Sequence, residues 1–151
     1  WNGPMGTLPR KPIPATHPIV PMPYFGLVLV DEVVGNVQSQ KNIVLDARSN
    51  DRYHGQNETL DPIGGHIPGA INRFFKDNLS ASAFKTPEQL YQDFLAILGS
   101  TKATEVIHSC GSGVTACHNL LAMEVAGLKG SRLYAGSWSE WCSNPDRPIE
   151  L

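Results

Sequence analysis

Short apolar runs alternate with helix-like segments along most of the chain. Apolar runs over residues 27–30, 43–45, 70–72, 106–107 and 132–134 predict five short strands. Strands that alternate with helices are typical of a parallel sheet with helices packed on both faces. We therefore predict an α/β fold with three layers and a mostly parallel central sheet of about five strands.

Local signals mark where three of the predicted helices begin or end. Residues 86–89 read TPEQ, a capping box with proline at the first helical position. Asp31 is predicted to cap the helix that continues to about Gln40. The helix over residues 116–126 is predicted to stop at the glycine that follows it. After the capping box, one helix face is predicted to carry the apolar residues Leu90, Phe94, Leu95 and Leu98.

Composition excludes several classes of protein and sets the domain boundary. The chain has 151 residues, 41% of them hydrophobic, which suits one globular domain with a packed core. A net charge of -2 argues against nucleic acid or an anionic membrane as a partner, and no apolar stretch approaches the roughly 18 residues of a transmembrane helix. Three cysteines, an odd number, argue against a disulfide framework, so we predict a reduced, cytoplasmic protein.

Residues 1–26 carry seven prolines, which predicts a linker or strap there and a domain over residues 27–151.

Cys110 is the strongest candidate for chemistry. It follows an apolar run, and the segment GSGVT at residues 111–115 and a predicted helix come after it. Glycines at such a turn let backbone N–H groups converge, and converging amides at a helix N-terminus favour an anion. That environment stabilises a thiolate, so we predict that Cys110 is a nucleophile. Loops at the carboxyl ends of parallel strands build the site in such folds, which places Cys110 near Arg48 or Arg52.

Two other kinds of site contain similar loops, but this chain lacks one residue that each of them requires. A cysteine phosphatase needs an arginine six positions after the cysteine, where this chain has Ala116. Residues 111–116 also match the dinucleotide turn G-x-G-x-x-A, which requires an acidic residue about 20 positions later, at the end of the next strand. Residues 132–136 offer none. We therefore predict neither a phosphatase nor a nucleotide site.

Four ordered motifs carry a resemblance to a known family. The loop CGSGVT at residues 110–115 resembles the active-site loop of 3-mercaptopyruvate sulfurtransferases in the rhodanese superfamily. DARSNDRY at residues 46–53 resembles the family's segment D-[AS]-R-x-x-x-R-[FY]. GHIPGA at residues 65–70 is similar to its G-H-I-P-G-A turn, and GSWSEW at residues 136–141 to its closing G-[AS]-W-x-E-W segment. The resemblance spans about residues 27–150 and implies a rhodanese-like fold.

The resemblance implies sulfur transfer in two steps. Cys110 attacks the outer sulfur of a donor and becomes a persulfide, and a thiol or cyanide then takes that sulfur. It implies no metal and no cofactor, and a thioredoxin-like reductant is a candidate partner. The amides that would stabilise the thiolate and the persulfide belong to Gly111, Ser112, Gly113, Val114 and Thr115. The hydroxyl groups of Ser112 and Thr115 either assist them or cap the helix that follows.

The donor stays open between mercaptopyruvate and thiosulfate. Thiosulfate-preferring rhodaneses typically carry basic residues where this chain has Gly111 and Ser112, so the uncharged loop favours a donor with one carboxylate. Arg52 would bind that carboxylate with both prongs of its guanidinium, the alternative being a surface salt bridge. Mercaptopyruvate enzymes often have a second arginine in an E-P-R-like stretch, but the run from Gln56 to Gly64 contains no basic residue. That difference weakens the preference for mercaptopyruvate.

Several residues that invite a catalytic role are interpreted as structural. The resemblance implies that Arg48 is structural and tied to the sheet edge, and that His66 is structural in the tight turn. Asp46 is interpreted as a structural hydrogen-bond acceptor. Cys117 is interpreted as a core residue and Cys142 as a spare thiol.

The resemblance also implies a partner domain, and it leaves two other functions open. WNGP at residues 1–4 echoes WCSNP at residues 141–145, and sulfurtransferases of this family usually have two rhodanese domains joined by a proline-rich linker. We therefore expect Trp1 to be the tail of a first domain, with a natural single-domain protein as the alternative. A persulfide carrier that receives sulfur from a protein, and a regulatory domain with an unreactive Cys110, also stay open.

Overall fold

The computed structural model describes residues 26–151, so the predicted linker over residues 1–26 lies outside the described residues apart from Gly26. The strands are β1 (Leu27–Val28), β2 (Ile43–Asp46), β3 (Ile71–Asn72), β4 (Leu79–Ser80), β5 (Ala83–Phe84), β6 (Val106–Ser109) and β7 (Arg132–Tyr134). The helices are α1 (Val30–Ser39), α2 (Asn50–Tyr53), α3 (Pro87–Leu98), α4 (Val114–Val125) and α5 (Ser137–Trp141). Within residues 26–151, no helix has the length and apolar character needed to span a bilayer.

Five strands form one parallel sheet in the order β1-β7-β6-β2-β3. β2 and β6 pair over their full length, from Ile43 opposite Val106 to Asp46 opposite Ser109. β4 and β5 form a separate antiparallel hairpin. The prediction of a parallel sheet of about five strands is confirmed, and the register sets the carboxyl ends of β2 and β6 side by side.

Each face of the sheet has its own apolar core. Val44 belongs to one core and Leu45 to the other, because successive side chains of a strand point to opposite faces. Residues of α1 and α5 complete the first core, and residues of α3 and α4 complete the second. The predicted arrangement of three layers is therefore confirmed.

The capping box at the start of α3 is confirmed. The hydroxyl of Thr86 accepts a hydrogen bond from the amide of Gln89 (3.3 Å), and the Gln89 side chain accepts one from the amide of Thr86 (3.1 Å). Pro87 occupies the first helical position, where its missing N–H costs nothing. The apolar face is narrower than predicted, since Leu95 is exposed while the other three predicted residues are buried.

Two other predicted helix starts are wrong. α1 begins at Val30 with Leu29 as its N-cap and no side-chain cap, so Asp31 lies inside the first turn and β1 is shorter than predicted. A carboxylate in a first turn still favours the helix by interacting with its dipole. α4 begins at Val114, two residues before the predicted start, because Gly113 adopts the left-handed conformation and turns the chain into the helix there.

Candidate active site

The carboxyl ends of β2 and β6 bring two predicted site segments together. Asp46 ends β2 opposite Ser109 of β6, and the amide of Ala47 donates to the Ser109 carbonyl (2.9 Å). After β2 the chain enters α2, which carries Arg52. After β6 it forms the loop that begins at Cys110. This neighbourhood is the one predicted from the parallel sheet.

A cavity of about 390 Å³ lies between these two segments. Six of the seven predicted site residues line it: Arg52, Cys110, Gly111, Ser112, Val114 and Thr115. Three residues that the sequence analysis missed also line it: Leu60, Asp61 and Ser139. No local pattern marks these three, because they reach the cavity from two loops that only the folded chain brings to Cys110.

Gly113 is the predicted site residue that the structure places elsewhere. It is buried beneath the loop and does not line the cavity. Its φ is 81°, and a β-carbon at this position would lie 2.5 Å from the carbonyl oxygen of Ala135. Gly113 therefore shapes the loop by backbone conformation and close approach, and its contact with substrate stays a prediction.

The backbone of Cys110 is held by residues at the start of α5. The Cys110 amide donates to the hydroxyl of Ser137 (3.0 Å), which in turn donates to the carbonyl of Tyr134 (2.9 Å). The Cys110 carbonyl accepts from the amide of Trp138 (3.0 Å). Ser137 has a φ of 52°, a strained conformation for a residue with a side chain, and it is fully buried. Surrounding contacts thus fix the position of a cysteine that is only 1% exposed.

The amides of the loop are free to bind an anion. The Gly111 carbonyl accepts from the Ser139 amide (2.9 Å), so α5 occupies the carbonyl side of the loop. Within residues 26–151, the amides of Gly111 and Ser112 donate no hydrogen bond, and those of Val114 and Thr115 belong to the unpaired first turn of α4. Unpaired amides beside a helix N-terminus stabilise negative charge. The geometry therefore suits a thiolate or a bound anion next to Cys110.

Arg52 lies over the loop but is already paired. Its Nε lies 3.1 Å from Oε2 of Glu58 and its Nη2 lies 2.8 Å from Oε1, a two-pronged contact. Nη2 also lies 3.5 Å from Oδ2 of Asp61. Nη2 and Nη1 of Arg52 lie 3.6 and 3.8 Å from the position that a β-carbon on Gly111 would occupy. Only the edge that includes Nη1 remains for a donor carboxylate, so the predicted two-pronged contact must use that edge.

Glu58 is ionised in this environment despite its burial. Desolvation alone would raise its pKa, but hydrogen bonds from the Leu60 amide and from Arg52 outweigh desolvation and hold the pKa below its usual value. The carboxylate accepts from the amides of Leu60 (2.9 Å) and Asp61 (3.2 Å) as well as from Arg52. Glu58 therefore fixes the turn and neutralises Arg52 at the same time.

Asp61 places a second carboxylate in the wall of the cavity. Its Oδ1 accepts a hydrogen bond of 2.6 Å from the hydroxyl of Ser139, which joins the loop before the GHIPGA turn to α5. Its Oδ2 has no hydrogen-bond partner within residues 26–151. The run from Gln56 to Gly64, which lacks the expected arginine, thus contributes two acidic groups to the site.

Arg48, Asp46 and His66 make contacts that fit their predicted structural roles. Arg48 is buried, pairs with Asp46 (2.6 Å), donates to the Gly65 carbonyl (2.7 Å) and stacks over Trp138. Nδ1 of His66 lies 2.9 Å from the Tyr53 carbonyl oxygen, so this nitrogen carries the proton. None of the three lines the cavity. They brace the segments that flank the site.

The other two cysteines do not reach the cavity. Cys117 is exposed, and its thiol donates to the carbonyl of Gly113 (3.2 Å), so the prediction of core packing is wrong. Cys142 is buried beside α5 and its thiol donates to the Ser139 carbonyl (3.8 Å). Burial raises the pKa of Cys142, which keeps it a thiol near neutral pH.

Comparisons with known proteins agree on one family. A family model described as a rhodanese-like domain matches residues 29–144. The chain is 52% identical over 107 residues to a probable 3-mercaptopyruvate sulfurtransferase of Pseudomonas aeruginosa, covering 70% of this chain and 38% of that protein. It is 35% identical to a thiosulfate sulfurtransferase of Mus musculus, covering 91% of this chain and 47% of that protein.

A solved structure gives the same answer for the fold. The 3-mercaptopyruvate sulfurtransferase from Leishmania major superposes with a TM-score of 0.72 at 31% identity, covering 91% of this chain and 38% of that one. The chain thus spans less than half the length of the relatives it matches. The fold, the Cys110 loop and these matches together show that the chain belongs to the rhodanese-like domain family.

Proposed function

We propose that this chain is a sulfurtransferase domain that carries sulfur as a persulfide on Cys110. The position of Cys110 supports this most directly, because it lies in a cavity beside unpaired amides and a helix N-terminus. Relatives named as sulfurtransferases support the same chemistry.

The proposed first step transfers sulfur from 3-mercaptopyruvate to the enzyme. The Cys110 thiolate attacks the donor sulfur, an S–S bond forms and the donor's C–S bond breaks. The electron pair leaves with carbon, which takes up a proton and yields pyruvate. In the second step a thiol or cyanide takes the outer sulfur, and Cys110 leaves as a thiolate. A thioredoxin-like reductant is a proposed physiological acceptor.

Charge at the cavity supports a donor with one negative charge. Within residues 26–151, Arg52 is the only cationic side chain that lines the cavity, and Glu58 already neutralises it. A doubly charged donor such as thiosulfate would meet no compensating charge, whereas one carboxylate could use the free edge of Arg52. We therefore propose mercaptopyruvate as the preferred donor, with thiosulfate as a slower one.

We also propose a protein surface at the mouth of the cavity and a reducing compartment. Leu60 and Val114 line the cavity and are 78% and 72% exposed, an apolar rim that a second rhodanese domain or a protein acceptor would cover.

The chemistry needs a free thiol, and the three cysteines of the chain are unpaired. Both facts suit the cytoplasm.

Intact-mass measurement tests the proposal. After incubation with mercaptopyruvate and removal of excess donor, the chain should gain one sulfur atom, and the Cys110→Ser variant should gain none. Cys117→Ser is the matched control, because it removes an exposed thiol outside the cavity and should still load. A chain that gains no sulfur from mercaptopyruvate or thiosulfate, or a Cys110→Ser variant that still loads, would refute the proposal. A faster reaction with thiosulfate would refute only the donor preference.

A further inference from the structure

Asp61 is a charged group in the cavity that the chemistry proposed above leaves unused. Its side chain is only 7% exposed, yet it lines the cavity together with Cys110. Oδ1 accepts the hydrogen bond from Ser139, but Oδ2 accepts none from residues 26–151 and lies 3.5 Å from Arg52. A buried carboxylate oxygen without a hydrogen bond is unfavourable, so a ligand that donates to it would stabilise the site.

Arg52 does not require Asp61 as its partner. Glu58 already binds Nε and Nη2 of Arg52 at 3.1 and 2.8 Å, and Arg48 is paired with Asp46. Arg48, Arg52, Asp46, Glu58 and Asp61 are joined by ion pairs and together carry two positive and three negative charges, a net charge of -1. Of the three carboxylates, Asp61 is the one that lines the cavity, and its nearest cation, Nη2 of Arg52 at 3.5 Å, is already bound more closely by Glu58. The surplus negative charge therefore lies where a small molecule would bind.

We propose that Asp61 selects the sulfur acceptor by its charge, favouring a thiol that carries an ammonium group close to its sulfur over one that carries a carboxylate. The inference rests on the proposed Cys110 persulfide. An ammonium group would donate to the free Oδ2 and cancel the surplus charge, whereas a carboxylate on the acceptor would have only the one free edge of Arg52 to bind and would add to the surplus.

The selection acts on the second step of the transfer. The acceptor thiolate attacks the outer sulfur of the persulfide, a new S–S bond forms, and the S–S bond to Cys110 breaks. One sulfur anion enters and one leaves, so this step needs no oxidant or reductant. Discrimination therefore comes from the group that the acceptor carries beside its sulfur.

Three short thiols of similar length test this selection: cysteamine, 2-mercaptoethanol and 3-mercaptopropionate. The whole chain is loaded with mercaptopyruvate or thiosulfate, freed of donor, and mixed with each thiol at low ionic strength. Quenched intact-mass measurement then gives the rate of sulfur loss. The quantity compared is the ratio of the rate with cysteamine to the rate with 3-mercaptopropionate.

The Asp61→Asn variant removes the charge and keeps an oxygen for Ser139. Even with the dielectric constant of water, a unit charge about 6 Å from the acceptor's charged group changes this ratio about tenfold. We therefore expect the ratio to fall at least tenfold in Asp61→Asn. Because each ratio is compared with that of the wild type, the different intrinsic reactivities of the thiols cancel.

Two control variants separate charge from structure. Asp93→Asn makes the same substitution in a carboxylate that pairs with Arg73 and Lys85 outside the cavity, and it should keep the wild-type ratio. Ser139→Ala removes the hydrogen bond that holds Asp61 but leaves its charge, so it should lower the ratio less than Asp61→Asn does. If Asp61→Asn does not fold, the wild-type ratio is measured against ionic strength, and screening must reduce it.

An unchanged ratio in Asp61→Asn, an equal fall in Asp93→Asn, or a wild-type ratio that ignores salt would overturn the role of Asp61. A chain that acquires no sulfur from either donor would overturn both this role and the proposed function. The mass of the loaded chain distinguishes these two failures before any acceptor is added.

Discussion

Replacing Gly113 by alanine tests how the Cys110 loop is held. Gly113 has a φ of 81°, which disfavours any residue with a β-carbon, and its β-carbon would lie 2.5 Å from the Ala135 carbonyl oxygen. Gly127, at the other end of α4, has a φ of 79° and no atom within 4 Å of its β-carbon position. The two glycines therefore share the conformational cost, and only Gly113 adds a steric clash.

The structure sets the expected size of each effect. The left-handed conformation costs an alanine about 1 to 2 kcal/mol, which is the full expected loss in the free energy of unfolding for Gly127→Ala. Overpacking against a backbone atom adds about 1 to 3 kcal/mol, so Gly113→Ala should lose about 2 to 5 kcal/mol. The clash is with backbone atoms of Ala135, which directly follows β7. It can therefore be relieved only by moving β7 or the Cys110 loop.

Urea unfolding of the two variants measures this difference, and the rate of sulfur loading measures its effect on the site. We expect Gly113→Ala to load much more slowly than the wild type under conditions where both are folded, and Gly127→Ala to load at the wild-type rate. Equal losses of stability in the two variants would refute the steric reasoning. Normal loading in Gly113→Ala would show that the loop does not depend on this contact.

Two further predictions concern charge and pH. Burial lowers the pKa of His108 to about 3. As the pH falls, this histidine is therefore protonated in the unfolded chain before it is protonated in the folded chain. From pH 7 to pH 5, His108 should therefore cost about 2 kcal/mol of stability, and urea unfolding of His108→Leu should show a pH dependence weaker by that amount. Equal pH dependence in both proteins would contradict this. Glu58→Gln should leave Arg52 with an unbalanced charge and raise kcat/KM for thiosulfate relative to mercaptopyruvate about threefold, as expected for a unit charge at about 7 Å in water. A ratio that stays constant or falls would contradict the proposed role of Glu58 as a counter-ion.

Much of the fold and one part of the site could be predicted because they depend on local signals. The alternation of strands and helices follows from short-range patterns, and the capping box before α3 involves only neighbouring residues. The prediction that Arg48 or Arg52 lies near Cys110 used one general property, that parallel strands end at the same edge of a sheet, and the family resemblance then favoured Arg52. The wrong predictions at Asp31 and Cys117 have the opposite origin, since a residue type alone does not determine a cap or a burial.

The sequence by itself determined a parallel α/β domain, its family and the position of a cysteine at a strand-to-helix turn. Each of these depends on sequence patterns that are only a few residues long. Only the tertiary structure decided the state of charge around that cysteine. Glu58 and Asp61 follow Arg52 by six and nine positions in an irregular loop, where no periodicity indicates which side chains meet. The folded loop brings both carboxylates to one guanidinium, and that contact turns a site predicted to bind a donor carboxylate through Arg52 into one with surplus negative charge.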